Sequence, residues 1–325
     1  MPKTNLLVIA PPDHHGLRIL EPLCALSDIS VSNDQAELER RAPQAEVILV
    51  TGLCAPVDFP TIWRHAHSVR WIHSLSTGVE RLLFPNLIES AIPLTNARGV
   101  SKRALAEFAV LGILFHTKKV RRLINNQRDR HWEHFQVNWA NKQVMGVLGY
   151  GEIGRECALL AKCLGLKIYA VRRTPSKSVE DPLLNRHFMP NQLHEMLSEI
   201  DILLCAAPLT PETHHMISDA EFILMKRTAI VVNVGRGPVI DESALIRALQ
   251  SKLIAAASLD VFEHEPLPES SPLWQMENVL ISPHCTDQTD NPDWLELSMQ
   301  IFVENFYRFQ NGDPLENVVD KRAGY

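Results

Sequence analysis

Three glycines between residues 149 and 154 have the spacing of a phosphate-binding turn. They stand in the run GYGEIG as Gly149, Gly151 and Gly154, after an apolar run and before a run with helical spacing. The first glycine permits a tight turn, the second lets the backbone approach a pyrophosphate, and the third lets helix and strand pack closely. N–H groups at the start of the helix, at Glu152 and Ile153, then face the phosphates. The pattern predicts a dinucleotide site; the alternative is a glycine turn that binds no ligand.

The residues after the next apolar run indicate which dinucleotide binds. A cofactor without a 2′-phosphate usually meets an acid about 20 residues after the first glycines. Here the run ends in Arg172, Arg173 and Thr174, and the next acids, Glu180 and Asp181, come well beyond it. Two guanidinium groups can hold a phosphate that an acid would repel. NADP(H) is therefore predicted over NAD(H), which stays possible, and the alternative is a solvated basic turn.

Charged or titratable side chains follow three further apolar runs. They are Arg236 after AIVVNVG (229–235), Glu263 or Glu265 after IAAASLDVF (254–262), and His284 in ISPH (281–284). Open parallel sheets bind their ligands beyond the carboxyl ends of the strands. These residues are therefore candidates for one site.

Six stretches carry a resemblance to a known family. They are TNARGVSKRALAEFAV (95–110), GVLGYGEIGRECA (146–158), LCAAPLTPETHHMI (204–217), MKRTAIVVNVGRGPVIDESALIRAL (225–249), DVFEHEPLP (260–268) and SPH (282–284). Together they resemble the D-isomer-specific 2-hydroxyacid dehydrogenases. The resemblance implies an α/β protein in which a Rossmann doubly wound dinucleotide-binding domain, 102–289, is inserted into a smaller flavodoxin-like α/β substrate domain, 1–101 and 290–325.

The resemblance also implies the catalytic residues, Arg236, Glu265 and His284. One guanidinium can hold the carboxylate of a 2-oxo acid and polarise its carbonyl. When hydride reaches the ketone carbon, an imidazolium can protonate the alkoxide that forms. An acid beside the histidine fixes its tautomer and favours its charged form. Glu265 matches the family's acid in D-V-F-x-x-E-P, and Glu263 is the competing choice.

Further contacts are carried over from the family's motifs. Asp260 matches a position near the nicotinamide carboxamide, with a strand-end cap as the alternative. Pro208 and Val234 lie in stretches that contact the cofactor. Thr77 and Gly78 match a substrate-domain loop whose N–H groups meet the substrate carboxylate, and glycine permits that approach; a plain turn is the alternative. No metal site is predicted.

The residues after His284 depart from the family's small or apolar pattern. They are Cys285, Thr286 and Asp287. An acid at Asp287 is expected to disfavour substrates with a second negative group, which argues against phosphoglycerate. Cys285 is interpreted as a buried, inert thiol, with an oxidation-sensitive site as the alternative.

Strand-like and helix-like runs alternate along the chain, as in a parallel α/β fold. The predicted strands are 5–10, 46–50, 69–75, 92–96, 144–151, 167–171, 201–207, 229–235, 254–262 and 279–284. Residues 102–132 predict one long helix with a basic end, which is either solvated or an arm for subunit contact. Family members usually form dimers, so a homodimer through the dinucleotide-binding domain is expected. A last helix at 293–310 is expected to return to the first domain.

The composition excludes several other classes of protein. The 325 residues are 46% hydrophobic and 22% charged, and the net charge is −6. These values are typical of a globular protein with no basic face for nucleic acid, and no apolar run is long enough to cross a membrane. Six cysteines without metal-binding spacing indicate reduced, mostly buried thiols in a cytoplasmic protein.

The leading hypothesis is an oxidoreductase that reduces a small 2-oxo acid, such as glyoxylate or hydroxypyruvate, with NADPH to the D-2-hydroxy acid. One alternative is an NAD-dependent D-hydroxyacid or D-3-phosphoglycerate dehydrogenase. The other is a dinucleotide-sensing, corepressor-like protein without catalysis.

Overall fold

The computed structural model describes residues 3–55, 57–172, 181–289 and 294–324. Contacts between residues divide the chain into two units. The first consists of Met1–Val100 and Thr289–Tyr325, and the second of Ser101–Gln288. Each unit is built on a parallel sheet with helices on both faces.

The first unit has a five-stranded sheet in the order β2-β1-β3-β4-β5. Its strands are β1 (Thr4–Ile9), β2 (Ser27–Ser32), β3 (Val47–Val50), β4 (Trp71–Ser74) and β5 (Leu94–Asn96). Its helices are α1 (Gln35–Arg41), α2 (Phe59–His65), α3 (Pro85–Glu89) and the C-terminal α10 (Trp294–Asn311). This strand order is that of flavodoxin-like folds, so the predicted fold class is confirmed for this unit.

The apolar run in β1 is continuous because both faces of its sheet are covered. Leu6 and Val8 pack with α10 on one face, while Leu7 and Ile9 pack with α1 and α2 on the other. Successive side chains of a strand point to opposite faces, and a central parallel strand therefore needs apolar residues at every position.

The second unit has a seven-stranded sheet in the order β12-β11-β10-β9-β6-β7-β8. Its strands are β6 (Val144–Leu148), β7 (Lys167–Val171), β8 (Arg186–Phe188), β9 (Ile202–Cys205), β10 (Ile230–Asn233), β11 (Ala256–Leu259) and β12 (Val279–Ile281). Its helices are α4 (Lys102–Thr117), α5 (Val120–Arg128), α6 (Glu152–Cys163), α7 (Leu193–Glu199), α8 (Asp219–Leu224) and α9 (Glu242–Gln250). From β6 the strand order runs outward in one direction through β7 and β8 and in the other through β9 to β12. This reversal confirms the predicted doubly wound fold, and such sheets bind their ligands in the crevice between the two central strands, here β6 and β9.

The prediction of one long helix over residues 102–132 is wrong. The structure has two helices, α4 and α5, separated at Lys119, whose φ is +54°. A lysine in this left-handed conformation cannot continue a right-handed helix. The two helices therefore meet at a bend that the apolar pattern did not reveal.

Two strands were absent from the predicted set. β2, with the sequence SDISVS, and β8, with the sequence RHF, each lie at one of the two edges of their sheet. Both strands are rich in polar residues, as edge strands often are, so they lack the apolar signal of the central strands.

The cysteines are less buried than expected. All six are free thiols, but only Cys157 and Cys205 are buried, and burial raises the pKa of both to about 12. Cys285 is exposed, which contradicts its interpretation as a buried thiol. In the described part of the chain, no helix is both long and apolar enough to cross a membrane.

Candidate active site

The glycine turn joins β6 to α6, and its three glycines meet different surroundings. Gly149 has a φ of +92°, and a Cβ there would lie 2.5 Å from backbone atoms of Ala207. A Cβ on Gly154 would lie 2.3 Å from the carbonyl oxygen of Gly149. A Cβ on Gly151, by contrast, would meet no atom within 4 Å. The first and third glycines are therefore required by packing, while the second borders open space.

That open space lies at the start of α6. Gly151 is the N-cap residue of the helix, and no side chain caps it. The first N–H groups of an α-helix have no acceptor within the helix and carry partial positive charge. The arrangement at Gly151, Glu152 and Ile153 therefore fits the pyrophosphate of a nicotinamide dinucleotide.

One of the predicted phosphate-binding arginines, Arg172, lies at the end of β7, the strand that pairs with β6 before the glycine turn. Arg172 directly follows the strand, and its N–H donates to the Phe188 carbonyl at 3.2 Å. Arg173 and Thr174 lie outside the described residues.

Asp181 also reaches the glycine turn, although in the sequence it lies well beyond the end of β7. The Asp181 carboxylate accepts hydrogen bonds from Tyr150 Oη at 3.1 Å and from Arg155 Nε at 2.7 Å. Burial opposes its ionisation most strongly. The N–H of Leu183, Arg155 and Tyr150 together outweigh burial and lower the pKa of Asp181. The Asp181 carboxylate near the turn is therefore ionised, and its negative charge is balanced by Arg155 of α6.

Pro208 and Val234 follow β9 and β10 at the carboxyl edge of the sheet. The Pro208 carbonyl accepts the Thr213 hydroxyl at 2.7 Å, and the N–H of Val234 donates to the Cys205 carbonyl at 3.0 Å. These bonds hold the two loops at the switch point, where the resemblance implies cofactor contacts.

Asp260, at the end of β11, organises the loop after His284. Its side chain is 1% exposed and accepts the Cys285 N–H at 3.2 Å and the Thr286 hydroxyl at 2.6 Å. The loop that carries His284 is therefore fastened to the neighbouring strand end. Contact with the nicotinamide stays a prediction.

His284 and Glu265 form a hydrogen-bonded pair. His284 Nδ1 lies 2.7 Å from Glu265 Oε2, and the other oxygen of Glu265 accepts the Phe262 N–H at 3.0 Å. His284 has a φ of +51°, a conformation that histidine adopts more readily than most residues. The Nδ1 contact leaves Nε2 as the ring atom for proton transfer.

The pair favours the charged form of both members. The hydrogen bond that His284 donates to Glu265 raises the pKa of His284 against the effect of burial, and the charges of Glu265 and Asp260 act in the same direction. Burial is the largest influence on Glu265 and opposes ionisation. The hydrogen bonds from His284 and the Phe262 N–H outweigh it and lower the pKa of Glu265.

Arg236 follows β10 and lies close enough to this pair to affect both pKa values. Its positive charge lowers the pKa of His284 and that of Glu265. The Asn233 amide donates to the Arg236 carbonyl at 3.1 Å, and Arg236 Nη1 donates to the Gly235 carbonyl at 2.8 Å. The loop is therefore held by its own side chains at the strand end.

Glu263 does not contact His284. It accepts a hydrogen bond from His215 Nε2 and one from the Glu242 N–H at 3.4 Å. His215, in the run THHMI, had no assigned role in the sequence. A His–Glu pair outside the predicted site is thus a finding of the structure.

Thr77 and Asp287, two further predicted residues, are held by hydrogen bonds to other residues than those of the His284–Glu265 pair. The carbonyl of Thr77 accepts the Asn96 amide at 2.6 Å within the first unit, which holds the loop that also carries Gly78. Asp287 lies 3.4 Å from the Ser101 hydroxyl, and burial raises its pKa, as does the charge of Asp260. Among the described residues, no group of three or more His, Cys, Asp or Glu side chains is placed to hold a metal ion.

The chain is similar to proteins of known family. Residues 110–286 match the family model for the NAD binding domain of D-isomer specific 2-hydroxyacid dehydrogenase. A glyoxylate reductase from Aeropyrum pernix is 33% identical over 267 residues, 79% of this chain and 78% of that protein. One from Thermococcus gammatolerans is 31% identical over 309 residues, 91% of this chain and 90% of that protein.

A solved structure covers the whole chain. It is a D-isomer specific 2-hydroxyacid dehydrogenase from Xanthobacter autotrophicus Py2 in complex with NADPH and MES. The identity is 28%, the TM-score is 0.84, and each chain is covered over 100% of its length.

Proposed function

The chain belongs to the D-isomer specific 2-hydroxyacid dehydrogenase family, and on this premise we propose that it reduces glyoxylate, hydroxypyruvate or a similar small 2-oxo acid with NADPH to the D-2-hydroxy acid. It is an oxidoreductase of 2-oxo acids that uses a nicotinamide dinucleotide. The observation that carries the proposal is the 2.7 Å bond between His284 and Glu265, next to the charge of Arg236. We also propose the first unit as the substrate domain and the second as the dinucleotide-binding domain.

Arg236 binds the substrate in the proposed reaction. Its planar guanidinium can donate to the substrate carboxylate and to the adjacent carbonyl oxygen in one fixed geometry. The carbonyl carbon then becomes more electrophilic, and the negative charge that develops on oxygen is stabilised. Thr77 and Gly78 are proposed to supply backbone N–H groups to the same carboxylate.

His284 supplies the proton. A dihydronicotinamide held at the glycine turn would supply the hydride for the carbonyl carbon. The carbonyl oxygen takes the proton of His284 Nε2, because Nδ1 is engaged with Glu265. Glu265 stabilises the imidazolium before the transfer, and in the reverse direction the neutral ring accepts the proton of the hydroxy acid.

Asp287 supports a substrate without a second acidic group. Its carboxyl is close enough to His284 for the charge of His284 to lower its pKa, although burial raises that pKa more strongly. Once ionised, it repels a phosphate or carboxylate brought near the site. A small, uncharged substituent such as hydrogen or hydroxymethyl is therefore the expected side chain of the substrate.

NADPH is the proposed cofactor because Arg172 stands where an acid would select NADH. The direct test follows the loss of dinucleotide absorbance with glyoxylate, hydroxypyruvate and pyruvate, first with NADPH and then with NADH. Preference for NADH would favour an NAD-dependent dehydrogenase. Dinucleotide binding without turnover of any 2-oxo acid would favour a corepressor-like function.

We expect kcat/KM with NADPH to exceed that with NADH by about tens- to hundreds-fold, because one charge-assisted bond to phosphate contributes ~1.5–3 kcal/mol and each 1.4 kcal/mol is about a factor of ten. Arg172→Asp combined with Arg173→Ala should abolish this preference, mainly through the cofactor KM. Added salt should weaken the wild-type preference. Cofactor titrations at one saturating 2-oxo acid measure both effects.

Arg186 provides the control for a general loss of positive charge. It lies on β8 and binds Glu195 and Glu199 at 2.8 and 2.6 Å. Arg186→Ala should therefore leave the cofactor preference unchanged. Equal kcat/KM for the two cofactors in the wild-type protein would show that the basic turn is merely solvated.

We further propose a homodimer formed through the second unit. Large apolar side chains are exposed on α4, α5 and the segment after them. They are Leu111, Leu123, Ile124, Trp132, Val137 and Trp139, with Trp132 89% exposed. A patch of this kind marks a protein interface. Light scattering should therefore give twice the 36.7 kDa mass of the chain, and a monomer at micromolar concentration would contradict the proposal.

The free thiols of the cysteines indicate in which cellular compartment the protein is found. All six cysteines are unpaired, and three of them are exposed. Exposed free thiols persist in a reducing environment. We therefore propose a cytoplasmic location.

A further inference from the structure

Three loops at the carboxyl edge of the second sheet are bonded to one another. They follow β9, β10 and β11 and comprise residues 208–217, 235–241 and 260–265. The N–H of His215 donates to the Pro238 carbonyl at 2.8 Å, and that of Ile217 donates to the Val239 carbonyl at 3.2 Å. The first loop therefore runs along the second, which carries Arg236.

The third loop lies on the opposite side of the second. A Cβ on Gly237 would stand 1.9 Å from the Phe262 carbonyl oxygen, so only glycine permits this backbone contact. The Glu263 N–H donates to the Glu242 carboxylate at 3.1 Å, and the Glu242 N–H donates to the Glu263 carboxylate at 3.4 Å. The residue after Arg236 is thus in contact with the loop that carries Glu265.

One side-chain pair joins the two outer loops across the middle one. His215 Nε2 is hydrogen bonded to Glu263 Oε1, and the side chains are 39% and 21% exposed. The His215 ring stacks on that of His214 with a centroid distance of 4.0 Å. The backbone of His215 is held in a left-handed conformation with a φ of +50°. The ring is therefore oriented both by its backbone and by its neighbour.

We propose that His215 and Glu263 are positioning residues that clamp the Arg236 loop between its neighbours and thereby align Arg236 with the Glu265–His284 pair. Neither residue contacts His284. Their effect passes through the backbone of Phe262 and Glu263, because the Phe262 N–H holds Glu265 at 3.0 Å. Loosening Glu263 displaces this N–H and weakens the hydrogen bond that His284 donates to Glu265.

The proposed clamp rests on the proposed function, because it is tested through the pH dependence of 2-oxo acid reduction. Reduction uses cationic His284, and Glu265 keeps the pKa of that histidine raised. The other charged groups that act on His284 or are acted on by it are Asp260, Arg236 and Asp287. A displaced Glu265 lowers the pKa of His284, so the decline of reduction at high pH should begin at lower pH.

His215→Asn is the most informative substitution. Asparagine tolerates the left-handed backbone but is too short to reach Glu263, so the variant removes the pair with little backbone strain. We expect the high-pH decline of kcat/KM to move down by about half a pH unit, so that kcat/KM above it falls about threefold, because the protonated fraction of His284 changes about tenfold per pH unit there. Glu263→Ala should give the same shift, and the double variant should lose little more than either single variant.

The chain offers a matched control in the same unit. His194 Nε2 lies 2.8 Å from Glu221 Oε1, and the His194 side chain is 62% exposed. His194→Asn removes an equivalent pair that joins α7 to α8 and has no member in the three loops, so this variant should keep the wild-type pH profile. His215→Gln, which retains an N–H donor, should restore much of the profile.

Several outcomes would overturn the clamp. An unchanged pH profile in His215→Asn and Glu263→Ala, with activity lost equally at every pH, would indicate a merely structural pair. An equal shift in His194→Asn would remove the link to these loops. If the wild-type protein reduces a 2-oxo acid and the variants give either of these results, only the clamp is contradicted. If the wild-type protein reduces no 2-oxo acid, the proposed function and the clamp are both contradicted.

Discussion

His284→Ala should lower kcat for 2-oxo acid reduction by ~10²–10⁴-fold, because the alkoxide loses its proton donor. His284→Asn should lose as much, and it serves as the second variant because asparagine suits the φ of +51° at this position. Steady-state kinetics at saturating NADPH measures the loss, and cofactor fluorescence measures NADPH affinity. That affinity should stay within about twofold of wild type, because the dinucleotide is proposed to bind through the glycine turn and Arg172, whereas His284 is proposed to act on the substrate.

Glu265→Gln provides the companion measurement for the same site. The Glu265 hydrogen bond and charge raise the pKa of His284, so reduction by the wild-type enzyme declines only when the pH passes that raised value. Without the carboxylate the imidazolium is less stable, and the decline should begin at lower pH. Oxidation of the hydroxy acid uses the neutral ring, so its rise with pH should also begin at lower pH. A larger shift in Glu263→Gln than in Glu265→Gln would show that the partner glutamate was wrongly assigned.

Arg236→Lys should lower kcat/KM for the 2-oxo acid by ~10²–10³-fold, the usual cost of removing a donor that stabilises a developing oxyanion. Lysine keeps the charge but has no planar fork, so it cannot bind the carboxylate and the carbonyl oxygen together. Both a higher KM and a lower kcat are expected. Kinetics with the substrate varied at saturating NADPH separates the two.

Arg247 is the matched control for this substitution. It lies on α9 in the same unit, and its guanidinium binds Asp219 with distances of 3.2 and 2.6 Å. Arg247→Lys should leave both kinetic constants at wild-type values. Wild-type kcat/KM in Arg236→Lys would exclude this arginine from substrate binding.

The glycine turn could be predicted from sequence because its requirements are local. The φ of +92° at Gly149 and the packing of Gly154 against it involve residues within one strand, one turn and one helix, although Gly149 also packs against the backbone of Ala207 after β9. The same holds for the central strands, whose apolar runs reflect burial on both faces. The polar edge strands β2 and β8 have no such pattern, and the bend at Lys119 depends on a single backbone conformation.

Motifs and predicted strand ends gave the residues of the candidate site, but they did not give the contacts between their side chains. The sequence placed Arg236, Glu265 and His284 at the carboxyl ends of successive strands, and parallel strands bring such ends to one edge. It left the choice between Glu263 and Glu265 to a resemblance. In the structure Glu265 is within 2.7 Å of His284, while Glu263 is bonded to His215 in another loop.

By itself, then, the sequence determined the alternation of strands and helices, the dinucleotide turn and the residue types available for catalysis. Only the tertiary structure decided which side chains meet: Glu265 with His284, Glu263 with His215, and Asp181 with Tyr150 and Arg155. The physical reason is one of range. Periodicity and turn chemistry act over a few neighbouring residues, whereas a hydrogen bond between loops depends on the positions of several strand ends at once, to within a few tenths of an ångström.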